Sequence, residues 1–234
     1  MWRNAWKPLA CAASASLTAF IAYDRLVRPW AATWGAGKQD PAKRWPGDSF
    51  LPNPATESTR VVTIAAPAAH VWAWILQIGR DRAGFYSYSW LENLIGADIH
   101  NLDHIVPEFQ RRKVGDTVWM APEEKFEGQG RMIVALLEPE RAMVLVSPSD
   151  WENLLAGEKA TESLWSFILD PIDPRTTRLV MRSRSGAKAT LRGKLVDYLF
   201  WEPAHFVMER KMMLTIKENA EHQAAPAPEL AAAR

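Results

Sequence analysis

Two periods alternate along the chain. The stretch RVVTIAA (60–66) is β-branched, with apolar and polar positions alternating, and predicts a first strand. AAHVWAWILQI follows, with Val71, Ile75 and Ile78 on one stripe, Pro67 at its first position and Gly79 as its stop. Ser89-Trp90-Leu91-Glu92 has the spacing of a capping box, and Trp90, Leu91, Leu94 and Ile95 predict a short apolar-striped helix ending at Gly96. Strand patterns then return at 114–122, 131–139 and 142–148, the last two joined by a tight turn at Glu140–Arg141. A polar segment, 149–162, separates these from strands at 163–172 and 177–185.

Residues 189–222 read as one helix, interrupted near 201–203 because Pro203 lacks an amide proton and disfavours helical geometry at Glu202. This order predicts an α+β fold: a curved antiparallel sheet around a long C-terminal helix, with two short helices after the first strand. MIVALL is apolar on both faces. Either the second face of the sheet is covered, or its concave face lines an apolar cavity.

The N-terminus departs from this pattern. No charge occurs from Pro8 to Tyr23, and Trp2, Trp6, Tyr23 and Trp30 flank the run as interface aromatics would. A span needs roughly 20 apolar residues, so this run is short and is diluted by Ala and Ser. Its readings are an uncleaved membrane anchor over 1–30, a cleaved signal segment, or a helix packed on the domain. Arg25, Arg28, Lys38, Lys43 and Arg44 outnumber Arg3 and Lys7, which puts the folded part on the cytoplasmic side if the segment spans. Residues 31–59 read as an irregular Gly/Pro/Asp-rich connector, 60–222 as the folded domain and 223–234 as a disordered tail.

The net charge is +1, and Lys and Arg are spread without an interleaved aromatic platform, so nucleic acid is not an expected partner. The single cysteine, Cys11, excludes a disulfide framework and a Cys-cluster zinc site. Twelve tryptophans suit a pocket lining or a membrane interface as well as a core.

PAAHVWAWILQIG after a first strand and PAHFVMERKMM in the final helix resemble the START-like helix-grip (SRPBCC) superfamily. It includes polyketide cyclases and dehydrases, lipid-carrying domains and coenzyme Q-binding proteins. GFYSYSWLENLIGADIHNLDHIVPEFQ, VGDTVWMAP and TTRLVMRSR are similar to a bacterial subgroup of unknown function. The resemblance covers roughly residues 45–220. It implies a hydrophobic tunnel between sheet and long helix, gated by the loops around the two short helices. The superfamily shares a cavity and no catalytic motif, so function must come from the site.

Candidate chemistry falls in two places. On the long helix, Leu199, Phe206, Met213 and Ala220 recur at sevens, as do Leu195, Glu202, Glu209 and Ile216, which puts Glu202 and Glu209 on a sheet-facing stripe. His205 lies four residues before Glu209 and can pair with it. Arg182 and Arg184 are candidate partners for these carboxylates, as a cavity anchor or as a structural ion pair. In the 84–108 stretch, Tyr86, Tyr88 and Trp90 are candidate ligand contacts, and Asp98, His100, Asp103 and His104 supply polar groups. Trp119 and Trp165 complete the candidate lining. A loop holds these histidines, HExxH is absent, and no metal or cofactor is expected. The alternative for this stretch is a set of hydroxyls and carboxylates that tie the loop down.

Three function classes follow. The first is membrane-tethered binding of an apolar small molecule such as a lipid, isoprenoid or polyketide-like compound. The second is a cyclase or dehydratase using His100, Asp103 or the His205/Glu209 pair. The third is a ligand-free interaction module with a solid interior. The oligomeric state is left open.

Overall fold

The computed structural model describes residues 18, 20–125, 128–187 and 190–225. Most of the N-terminal run, including Trp2, Trp6 and Cys11, and the tail beyond 225 lie outside them. Six strands form one antiparallel sheet: β1 (Thr56–Ile64), β2 (Thr117–Trp119), β3 (Arg131–Glu138), β4 (Ala142–Val146), β5 (Ser163–Asp173) and β6 (Thr176–Ser185), ordered β1-β6-β5-β4-β3-β2. Irregular pairing at Val134/Leu136 and Pro171/Asp173 interrupts two ladders, the device by which strands bend and twist. Among the described residues the α-helices are α1 (Arg28–Ala32), α2 (Ala68–Leu76), α3 (Ser89–Leu94), α4 (Pro148–Leu155), α5 (Leu191–Val196) and α6 (Glu202–Ala224). The expected helix-grip arrangement is present: the sheet grips α6 across one face.

That face holds the main core. Trp165, Phe167 and Leu169 of β5 and Leu179 and Met181 of β6 meet Val71, Trp74 and Ile75 of α2 and Met212, Met213 and Ile216 of α6. The other face is covered too. The expected 31–59 connector ends earlier, because β1 begins at Thr56, and it lays Trp45 against Val61, Ile168 and Val180, and Leu51 against Val144, Val146 and Leu164. The both-sided apolar strands are thereby explained.

Several boundaries differ from the sequence pattern. The 114–122 strand shortens to Thr117–Trp119. The polar segment 149–162 contains α4, whose N-cap Ser147 accepts from the Asp150 amide at 3.2 Å. The Asp150 carboxylate, fully buried, accepts from the amides of Thr161, Glu162 and Ser163, so polar residues here are structural. The capping box does not form. Tyr88 is the N-cap of α3 without a side-chain bond, and Trp90, Leu94 and Ile95 are exposed while Glu92 is buried. The face expected outward is the one turned in.

The long-helix stripe also divides. Its C-terminal half docks, with Glu209, Met212, Met213, Ile216 and Ala220 buried, but Leu195 and Leu199 are exposed. The expected interruption appears as a π-type turn, Asp197–Trp201, where the Glu202 amide bonds to the Asp197 carbonyl immediately before Pro203. Here the helix leaves the sheet and meets the N-terminal segment. Tyr198 contacts the rings of Phe20 and Tyr23 and donates to Asp24 at 3.0 Å, and Trp30 packs edge-on to Phe206. Among the described residues no helix is long and apolar enough to cross a membrane.

Candidate functional site

A cavity of about 390 Å³ lies between the sheet, the 84–99 loop and α6. Phe85, Ile95, Ala97 and Ile99 form one wall, Trp165 with Met120 and Ala121 another, and Trp201, Ala204, Met208 and Met212 the helical wall. Its polar groups are few: Ser87, Glu92, Gln129, His205 and Glu209.

The loop wall is set by one asparagine. Asn101 Oδ1 accepts from the amides of Phe85 (3.0 Å) and Tyr86 (2.8 Å), and its Nδ2 donates to the Ser87 carbonyl (2.9 Å). Gly84 allows this approach, because a Cβ there would lie 2.4 Å from Asn101 Oδ1. Tyr86 is held at φ 56°, a conformation that side-chain-bearing residues rarely adopt. The twist sends the Tyr86 ring into the core, edge-on to Trp74, where its hydroxyl donates to the Trp74 carbonyl at 3.1 Å. Phe85 and Ser87, not Tyr86 and Tyr88, reach the cavity.

At the sheet side the Glu209 carboxylate is fixed by three donors. Arg60 of β1 pairs with Oε2, Trp165 Nε1 donates to Oε1 at 2.8 Å, and Ser183 Oγ stands 3.5 Å from the same oxygen. Arg60 also donates from Nε to the Ala31 carbonyl at 2.8 Å. Burial lowers the Arg60 pKa to about 10, opposed by the charge of Glu202. With Glu209 in direct contact as well, it is a cation at neutral pH. His205 is exposed at the mouth of the cavity. Desolvation by the surrounding protein, with Arg60 nearby, pushes its imidazole down to about 4, making the neutral form the relevant one at pH 7. Its ring lies tilted against that of Trp165, the centroids 5.9 Å apart.

Of the candidates read from sequence, Trp165, His205 and Glu209 therefore share one cavity. The rest are placed elsewhere. Arg182 and Arg184 point to the opposite face of the sheet, where strand alternation puts them beside Asp48 and Glu57, and they do not partner the helix carboxylates. Glu202 pairs with Arg28 at 2.8 Å. Phe206 lies against Trp30 and under the Arg60 guanidinium. Tyr88 and Trp90 contact each other at the surface, and Trp119 lies under Arg131. Asp98 pairs with Arg80 at 2.6 Å and with His100 at 3.3 Å, and Asp103 with His104 at 3.1 Å, all solvent-facing. His100 and Asp103 thus stand outside the cavity. Among the described residues no three His, Cys, Asp or Glu side chains gather as metal ligands would.

The helical wall was readable: His205, Met208, Glu209 and Met212 stand at i, i+3, i+4 and i+7. Glu92 was hidden by its capping-box spacing, and Phe85 and Ser87 by the phase change at Tyr86.

No family profile and no curated protein matches the sequence. Solved structures similar to this chain include the self-sacrificing resistance protein CalC from Micromonospora echinospora (8% identity, 75% of this chain and 100% of that one, TM-score 0.42). A norcoclaurine synthase from Thalictrum is similar at 15% identity (72% and 96%, TM-score 0.40). A polyketide-cyclase-like protein from Corynebacterium glutamicum is similar at 15% identity (72% and 88%, TM-score 0.32). At these identities the likeness is one of fold alone, and the chemistry of the site rests on this chain's own side chains.

Proposed function

We propose that the chain binds an apolar small molecule, of lipid, isoprenoid or polyketide-like chemistry, in the cavity between the sheet and α6, and does so at a membrane. The observation that carries the binding reading is the cavity: about 390 Å³ with mostly apolar walls and a few inward polar groups. At roughly 30 Å³ per water-sized group, it has room for about 13 non-hydrogen atoms. A ligand hiding ~300 Å² of apolar surface gains about 7 kcal/mol before association losses. Micromolar affinity needs about 8 kcal/mol net, so the inward polar groups must contribute. A solid interior, which a ligand-free interaction module requires, does not agree with a space of this size.

The membrane reading is supported by the apolar face shared by the N-terminal segment and the α5–α6 junction. Phe20, Ile21, Leu26, Val27 and Trp30 are exposed on one side, and Leu191, Leu195, Val196, Leu199, Phe200 and Trp201 on the other. Arg25, 81% exposed at its side chain and 3.9 Å from Asp24, is a cation beside this face that anionic lipid can meet. Trp201 belongs both to this face and to the cavity wall, so a ligand leaving the bilayer has a short apolar route inward. A second reading, a cyclase- or dehydratase-type enzyme, is favoured by His205 and Glu209 fronting the same space.

Native mass spectrometry of the full chain extracted from its host tests the binding reading. A reproducible apolar passenger, lost in Ala204→Phe, is expected; wild-type protein that carries nothing and binds no added apolar probe would refute it. Flotation with anionic vesicles tests the membrane part, which fails if the Leu199→Glu/Phe200→Glu variant floats as well as wild type.

A further inference from the structure

The cavity holds a second acid that the Glu209 cluster does not touch. Glu92 projects from α3 and is 4% exposed, and its Oε2 has no hydrogen-bond partner among the described residues. Ile95, Ala97 and Ile99 line the same wall. A carboxyl enclosed this way without a donor is costly as an anion and cheaper as the neutral acid. Burial accordingly raises its pKa to about 7.

Its titratable neighbours do not supply a counter-charge. Of the other cavity-lining groups, His205 is held neutral and Glu209 is engaged by Arg60 and Trp165. Ser87 donates its hydroxyl to the Met208 carbonyl at 3.0 Å, and Lys125 caps the Gly96 carbonyl at 2.9 Å on the exposed side. Gln129 is uncharged. A cationic ligand would have to shed its water among apolar walls, a cost that an uncharged acceptor does not face.

We propose that Glu92, as a neutral acid, is the polar anchor of the cavity, donating a hydrogen bond from its carboxyl to an uncharged oxygen, a carbonyl or hydroxyl, on an otherwise apolar ligand. This rests on the reading that the cavity takes up an apolar molecule, and it narrows the ligand to one with such an oxygen at one end.

Three probes of about 13 non-hydrogen atoms fit the space: 2-acetylnaphthalene, 2-ethylnaphthalene and 1-(2-naphthyl)ethylamine. Calorimetric titration of the full chain at about pH 5.5 is expected to show the ketone binding about tenfold tighter than the hydrocarbon, the worth of one good hydrogen bond. The preference should fade toward about pH 8.5 as the acid ionises. Glu92→Leu should bind both equally at either pH, whereas Glu92→Gln, which keeps an N–H donor, should retain the preference without the pH dependence. A ketone preference that survives Glu92→Leu, or an amine that binds best and tighter as pH rises, would overturn the proposal. If wild type binds neither ketone nor hydrocarbon, the cavity reading fails and takes this proposal with it. Hydrocarbon binding without ketone preference defeats the anchor alone.

Discussion

Removing Arg60 isolates a charge in the core. The Arg60 and Glu209 side chains are 4% and 0% exposed and in direct contact. Arg60→Met keeps most of the stem's volume but leaves the Glu209 carboxylate with only Trp165 Nε1 at 2.8 Å and Ser183 Oγ at 3.5 Å. Breaking a buried pair on one side costs about 3–5 kcal/mol. For a domain of this size that is a fall of roughly 6–20 °C in Tm. Glu209→Leu should cost a similar amount, because Arg60 would keep only the Ala31 carbonyl at 2.8 Å as a hydrogen-bond acceptor, in water-poor surroundings. The double variant Arg60→Met/Glu209→Leu removes both charges and should return to within about 1–2 kcal/mol of wild type, since an apolar pair of similar volume commonly replaces a buried ion pair at little cost. Urea unfolding followed by circular dichroism measures all four proteins. A loss below about 1 kcal/mol in Arg60→Met, or a double variant as unstable as the sum of the singles, would refute the account of this cluster.

Other expectations follow from single groups. Glu92 carries a carboxyl whose folded pKa, about 7, lies above its ordinary value of 4.5. The unfolded chain therefore releases its proton first as pH rises, and stability falls between about pH 4.5 and 7. Glu92→Gln should match wild type near pH 4 and exceed it near pH 8 by up to ~3 kcal/mol, less where water enters the cavity. Equal stability of the two proteins at both pH values would contradict the burial argument. Asp150→Ala strips three backbone donors of their acceptor and should cost about 3 kcal/mol or more by urea unfolding, with α4 detaching from the start of β5. In a proton NMR titration, His205 should stay neutral until well below pH 6, and charging near pH 6.5 would show that neither desolvation nor Arg60 acts on its ring.

Periodicity made much of this fold legible. Alternation at 60–64 located β1, the apolar run at 163–172 located β5, and the recurrence at sevens of Met213 with Ala220 and of Glu209 with Ile216 located the docked half of α6. The limits came where one residue resets the phase. At Tyr86 a left-handed backbone, clamped by Asn101, exchanged which aromatic residues face inward. At Asp197–Trp201 a π-type turn ended the stripe, so Leu195 and Leu199 came to solvent. Arg182 illustrates a different limit. Strand alternation fixed that Arg182 and Arg184 share a face, but which face depends on the connector, whose Asp48 waits there. Arg60, the actual partner of Glu209, sat unremarked at the start of a strand pattern because nothing local marks a buried arginine.

An enterable apolar space beneath α6 can be probed at the methionines. In protein labelled with carbon-13 at the methionine methyls, Met120, Met208 and Met212 line the cavity, while Met143 and Met181 lie in the solid core behind it. Saturating 2-ethylnaphthalene should shift the first three methyl signals through the ring current and leave Met143 and Met181 nearly in place. Unmoved cavity methyls at saturating probe, or shifts as large at Met143 and Met181, would contradict it.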